Sequence, residues 1–184
     1  MGAAARDALR NDERPMPLIL TLGFDSDSFA RLEPLRQRHF PAERNFIPVH
    51  VTLFQQLPED HMDDLMAALS REGGATPPLP FAATGILDFG GGAAVDLDCP
   101  AARALQDRLR RTWRPFLTDS DDRSRKLHVT VQNKVDRDTA KETQSALRAS
   151  FAPWEGLFDR LLLWHYRGGP WERAATVPLT GVSR

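Results

Sequence analysis

Two short stretches hold residue types able to do chemistry together: His50-Val51-Thr52-Leu53 and His128-Val129-Thr130-Val131. Each reads as a strand. Side chains alternate faces along a strand, so His and Thr share one face while the aliphatic residues take the other. Imidazole titrates near pH 6.5, so one of two rings in a site can be neutral while the other is protonated. The neutral ring takes a proton from an attacking water or hydroxyl. The charged ring gives a proton to the departing oxygen on the opposite side of a phosphorus atom. The threonine hydroxyls can donate to non-bridging phosphate oxygens and stabilise the charge that develops there. This chemistry needs no metal, no His or Cys pair has ligand spacing, and neither metal nor cofactor is expected. Gly90-Gly91-Gly92 sits between two strands and opens no helix, so it is not a phosphate-cradling loop.

The elements that must position these pairs follow from hydrophobic period and turn residues. Met16 to Phe24 reads as a buried strand, and Asp25 or Ser26 caps a helix carrying Phe29, Leu32 and Leu35. A strand over 49–55 precedes a helix from Glu59 to Arg71, with Met62, Leu65, Met66 and Leu69 as its stripe and Gly73-Gly74 as its end. Strands over 79–89 and 93–97 form a hairpin. A helix after Pro100 buries Leu105, Leu109 and Trp113. A strand over 127–133, a helix over 138–150 marked by Ala140, Leu147 and Phe151, and strands over 158–166 and 174–179 complete the chain.

An offset of 78 residues superposes the order helix, strand, helix, strand, strand on itself, placing His50 on His128 and Thr52 on Thr130. Each half is too small to bury its own sheet well. The expected fold is α+β: a two-lobed pseudo-twofold repeat of helix-strand-helix-strand-strand, with mostly antiparallel sheets lining a central groove and helices outside. Residues 1–15 are expected to be a disordered tail, and 16–184 a single bilobal domain with repeat halves at about 25–98 and 99–182. Equivalent placement makes the two His-x-Thr pairs face each other across the groove.

The paired motifs, their spacing and the repeat resemble the 2H phosphoesterase superfamily, whose proteins carry two His-x-Thr/Ser-x motifs with x hydrophobic. The resemblance spans Leu18 to Gly181 and includes a closing segment over 161–180 like the family's last hairpin. It implies metal-independent action on 2′,3′-cyclic phosphates or 2′-5′ linkages of ribonucleotides, with catalytic roles for His50, Thr52, His128 and Thr130. The expected activity is a cyclic phosphodiesterase. The alternatives are 2′-5′ RNA ligation at the same site and a non-catalytic module that binds nucleotides or RNA ends.

Neighbouring residues are candidates for substrate binding. Lys126, Gln132 and Lys134 share the expected face of His128, and Phe54, able to stack on a base, shares that of His50. Arg44 and Arg125 flank the motif strands in loops that should rim the groove. Residues 103–126 hold eight basic and four acidic side chains, the best electrostatic funnel in the chain. Of the other histidines, only His165 is placed to reach the groove. A formal charge of −1 over 184 residues excludes binding to long nucleic acid by bulk charge alone and fits a nucleotide or short RNA. One cysteine, Cys99, excludes an intramolecular disulfide, and no apolar run approaches the roughly 20 residues of a membrane span. A cytoplasmic monomer is expected.

Overall fold

The computed structural model describes residues 16–182; the tail expected at 1–15 lies outside them. The elements run β1 (Leu18–Phe24), α1 (Ser26–His39), β2 (Val51–Leu57), α2 (Met62–Ala75), β3 (Leu79–Asp88), β4 (Ala93–Asp98), α3 (Pro100–Trp113), β5 (His128–Gln132), α4 (Arg137–Ser150), β6 (Trp154–His165) and β7 (Glu172–Pro178). Local chemistry starts the helices. The Asp25 carboxylate accepts from the Ser28 N–H, Asp136 accepts from Asp138 and Thr139, and Pro100 opens α3 behind Cys99.

All strand pairs are antiparallel, and the sheet order is β2-β1-β6-β3-β4-β5 with β7 also on β6. The long β6 joins two arms. Its Trp154–Phe158 stretch pairs with β3, and its later residues lie between β1 and β7. The two lobes are therefore two four-stranded arms of one sheet, β7-β6-β1-β2 and β6-β3-β4-β5. Their outer strands, β2 and β5, come together. The 78-residue offset equates β4 with β7, yet these differ in place. β4 lies between β3 and β5, whereas β7 takes the far side of β6, because β1 fills the position beside β2.

The helices cross over between halves. α1, which precedes β2, packs on β5, while α3, which precedes β5, reaches β2 through Gln106 and Trp113. Most apolar side chains form one core between sheet and helices. On the other face of the β1/β6 arm, Ile19, Leu162 and Trp164 form a small cluster with Ile47 and Trp171. That explains why β1 is buried along its whole length.

Two expectations about helices change. The α1 face toward the core is Ser28, Leu32 and Arg36, and Phe29 is exposed. α2 does not stop at Gly73-Gly74 but runs on to Ala75. A Cβ on Gly73 would lie 2.5 Å from Val177 Cγ1 and 2.8 Å from the Pro178 carbonyl, so that glycine admits β7 against the helix. Among the described residues no helix is long and apolar enough to cross a membrane.

Candidate active site

His50 stands immediately before β2 and His128 opens β5. The alternation read from the sequence holds through both motifs: Val51, Leu53, Val129 and Val131 are buried, while His50, Thr52, His128 and Thr130 are partly open. Each imidazole is fixed in the same way. His50 Nδ1 bonds the Pro48 carbonyl at 2.7 Å, and His128 Nδ1 bonds the Lys126 carbonyl at 2.9 Å. A carbonyl only accepts, so Nδ1 carries the proton in both rings and Nε2 is the nitrogen left for chemistry. Each ring also rests on an aromatic from a hairpin connection: His50 on Trp171 (centroids 5.0 Å apart), His128 on Phe89 (4.7 Å).

Just past each His-x-Thr the strand bulges. Thr21 pairs with Thr52 but Leu20 with Phe54; Ala94 pairs with Thr130 but Ala93 with Gln132. One residue of the neighbouring strand thus spans two of β2, and likewise of β5, which breaks the alternation. Backbone oxygens beside the bulges take side-chain donors from the helices. Gln106 Nε2 donates to the Leu53 carbonyl at 2.7 Å, and Arg36 Nη1 donates to the Thr130 carbonyl at 2.8 Å.

These bulges overturn two candidate binding residues for one reason. Phe54, 1% exposed, turns into the core and meets Trp113 edge to face at 5.3 Å. Gln132, 2% exposed, turns under the sheet and donates to Thr143 Oγ1. Lys134 also leaves the His128 face, because β5 ends at Gln132 and Lys134 adopts φ 60°, in the left-handed region. Lys126 lies beside His128, but its ammonium is 2.8 Å from Asp96, the residue paired with His128 across β4 and β5. Arg125 is tied to Ser120 within its own loop. Arg44 is exposed on the single turn Ala42–Arg44, ahead of His50.

Half of the eight basic side chains in the stretch 103–126 are held in ion pairs. Arg103, Arg108, Arg110 and Lys126 pair with Asp98, Glu72, Asp107 and Asp96. His165 shares the core-side face of Leu18 and lies 3.0 Å from Glu59, away from the groove.

The surroundings of His50 act on its charge. His50 is pushed down from the usual 6.5 to about 4, chiefly by burial; the Pro48 carbonyl works the other way, and the charges of Arg36 and His128 add to the lowering. The strands that carry the two rings, β2 and β5, lie against each other. Among the described residues no group of three or more His, Cys, Asp or Glu is placed to hold a metal ion.

A family model described as the 2′-5′ RNA ligase superfamily matches residues 24–170. The chain belongs to that superfamily, the 2H phosphoesterases. Its fold is similar to that of TT0787 of Thermus thermophilus (TM-score 0.62, 17% identity, 91% of this chain and 100% of the other). Two further similar structures are E. coli LigT complexed with 3′-AMP (0.59, 16%, 91% and 99%) and a protein described as a phosphoesterase (0.59, 18%, 91% and 99%). A comparison with curated protein sequences finds no match.

Within this superfamily fold, several residues near the site had no signal in the motif itself. Trp171 and Phe89 come from hairpin connections, where period and alternation say nothing. Asp96 is brought to His128 only by strand pairing. Arg36 did leave a trace, since Ser28, Leu32 and Arg36 continue a four-residue spacing on the buried side of α1.

Proposed function

We propose that the protein is a metal-independent phosphoesterase that opens 2′,3′-cyclic phosphates of nucleotides or RNA ends by two-histidine acid–base catalysis. The observation that carries this reading is the matched pair of imidazoles, each with Nδ1 held by the carbonyl two residues earlier and Nε2 left free, on the two outer strands that meet. His50, held neutral by its surroundings, is the base, and an anionic phosphate beside it raises its basicity. Its Nε2 takes a proton from water as the water oxygen attacks phosphorus. The P–O2′ or P–O3′ bond breaks, and the departing oxygen takes the Nε2 proton of His128. The product is a phosphomonoester, with His50 charged and His128 neutral until solvent exchange resets them. Thr52 and Thr130 hydroxyls donate to the non-bridging oxygens.

E. coli LigT has been solved with 3′-AMP and with phosphate, which makes these two compounds natural first ligands here. The test is turnover of 2′,3′-cyclic nucleotides and of RNA ending in a cyclic phosphate, with and without a 5′-hydroxyl acceptor strand. Hydrolysis supports the proposal, and joined strands would favour ligation. His50→Ala and His128→Ala should each lower kcat by about 10²–10⁴-fold, and the double variant by far less than the product. Activity within a few-fold of wild type in either single variant overturns the mechanism.

A further inference from the structure

We propose that Arg36 is a positioning residue that holds the two motif strands in mutual alignment and lays a fixed positive charge behind the phosphate site. It rests on the functional reading above only in naming phosphate as the site's ligand. Arg36 lies on α1, 5% exposed, and its guanidinium bonds three acceptors in two parts of the molecule. Nε donates to Asn45 Oδ1 at 2.8 Å and to the Ile47 carbonyl at 3.0 Å, in the loop that leads to His50. Nη1 donates to the Thr130 carbonyl at 2.8 Å, inside the second His-x-Thr motif. One planar fork therefore joins the approach to the first imidazole with the backbone of the strand bearing the second.

A second residue of the same helix works alongside it. Glu33 Oε2 accepts from the Val49 N–H at 2.8 Å, one residue before His50. The loop over 45–49 is thus pinned to α1 at three points, none of them repeated by its own backbone ladder. The Phe40 ring lies 4.0 Å from the guanidinium carbon on the same helix end.

The charge has a consequence of its own. All three bonded acceptors are neutral, and no carboxylate among the described residues forms an ion pair with Arg36. A guanidinium remains protonated at every working pH. The Glu33 carboxylate acts on Arg36 by charge without bonding it, so the guanidinium is only partly offset; it still favours a ligand that brings negative charge to the imidazole pair and opposes protonation of His50. His128 is the other group acting on His50 by charge, and it acts in the same direction.

The experiment compares wild type with Arg36→Gln and Arg36→Lys by three readouts: the NMR titration of the His50 ring, the affinity for inorganic phosphate, and kcat and KM on a 2′,3′-cyclic nucleotide. Arg36→Gln should lower kcat by about 10–100-fold with little change in KM, since sub-ångström misplacement of reacting groups is that costly. It should also weaken phosphate binding and raise the His50 midpoint. Arg36→Lys keeps the charge and loses the fork, so phosphate affinity is retained and kcat still falls. If Arg36→Gln does not fold, Glu33→Leu frees the Val49 N–H and removes a negative charge beside Arg36, so kcat should fall while phosphate binding is not weakened; weaker phosphate binding or an unchanged kcat overturns the proposal.

A purely structural role predicts lower stability with kcat, phosphate affinity and the His50 midpoint unchanged in the folded protein, and that pattern overturns the proposal. Absence of turnover in the wild type would overturn the functional reading alone, because the titration and phosphate binding still test Arg36.

Discussion

Lowering the pH should destabilise the protein through His50, and the size of the effect follows from its surroundings. The ring is held near 4 in the folded chain, against about 6.5 when unfolded. Between these values the unfolded chain binds the extra proton, so stability falls as pH drops through 6.5 and levels out below 4. The full shift corresponds to a ceiling of about 3.4 kcal/mol at 1.36 kcal/mol per unit, and partial solvent access to the ring reduces the expected loss to about 2 kcal/mol. About half of it falls between pH 6.5 and 5, and most of the rest between pH 5 and 4.

Urea unfolding at half-unit steps from pH 8 to 4, in phosphate-free buffers, measures the loss. His39 is also lowered, mainly by burial, and the carboxylates titrate in the same range, so the decisive quantity is the difference between wild type and His50→Asn. The variant should lose the His50 share of the pH slope, and the NMR midpoint of the His50 ring should lie well below 5.5. Added phosphate should raise that midpoint. Equal pH slopes in the two proteins, or a His50 midpoint above 6 in the free protein, would refute the electrostatic argument and with it the assignment of His50 as the base.

Phe54→Ala should destabilise by about 3–5 kcal/mol, as an aromatic truncation in a packed core does, while leaving KM of the folded protein unchanged; a KM effect with little loss of stability would return Phe54 to the groove. Gly73→Ala should cost about 1–3 kcal/mol by forcing β7 away from α2, read as a shifted urea midpoint, and an unchanged midpoint would contradict the close approach. Activity should survive EDTA, and loss in chelator with rescue by a divalent cation would sink the two-imidazole mechanism. Thr130→Val removes one donor to a charged oxygen, worth roughly 1.5–3 kcal/mol, so kcat/KM should fall by about 10–150-fold without change in the pH profile.

The amino-acid sequence determined what depends on near neighbours along the chain. Strand alternation is a local property of extended backbone, so His50, Thr52, His128 and Thr130 could be assigned to one side and Val51, Leu53, Val129 and Val131 to the other. The 78-residue offset likewise aligned Phe54 with Gln132 before either had a place, and equivalent bulges then treated both alike. Tertiary structure decided what depends on partners distant in sequence. A bulge exists only relative to the strand opposite, so the burial of Phe54 and Gln132 could not be read from their own segments. The place of β7 depends on β1 occupying the edge beside β2, and the partial pairing of the basic stretch depends on carboxylates such as Glu72 and Asp96 arriving from other elements. Arg36 illustrates both. Its place in a buried four-residue spacing is written in α1, but its bonds to Asn45, Ile47 and Thr130 arise only because α1 of the first half packs on β5 of the second.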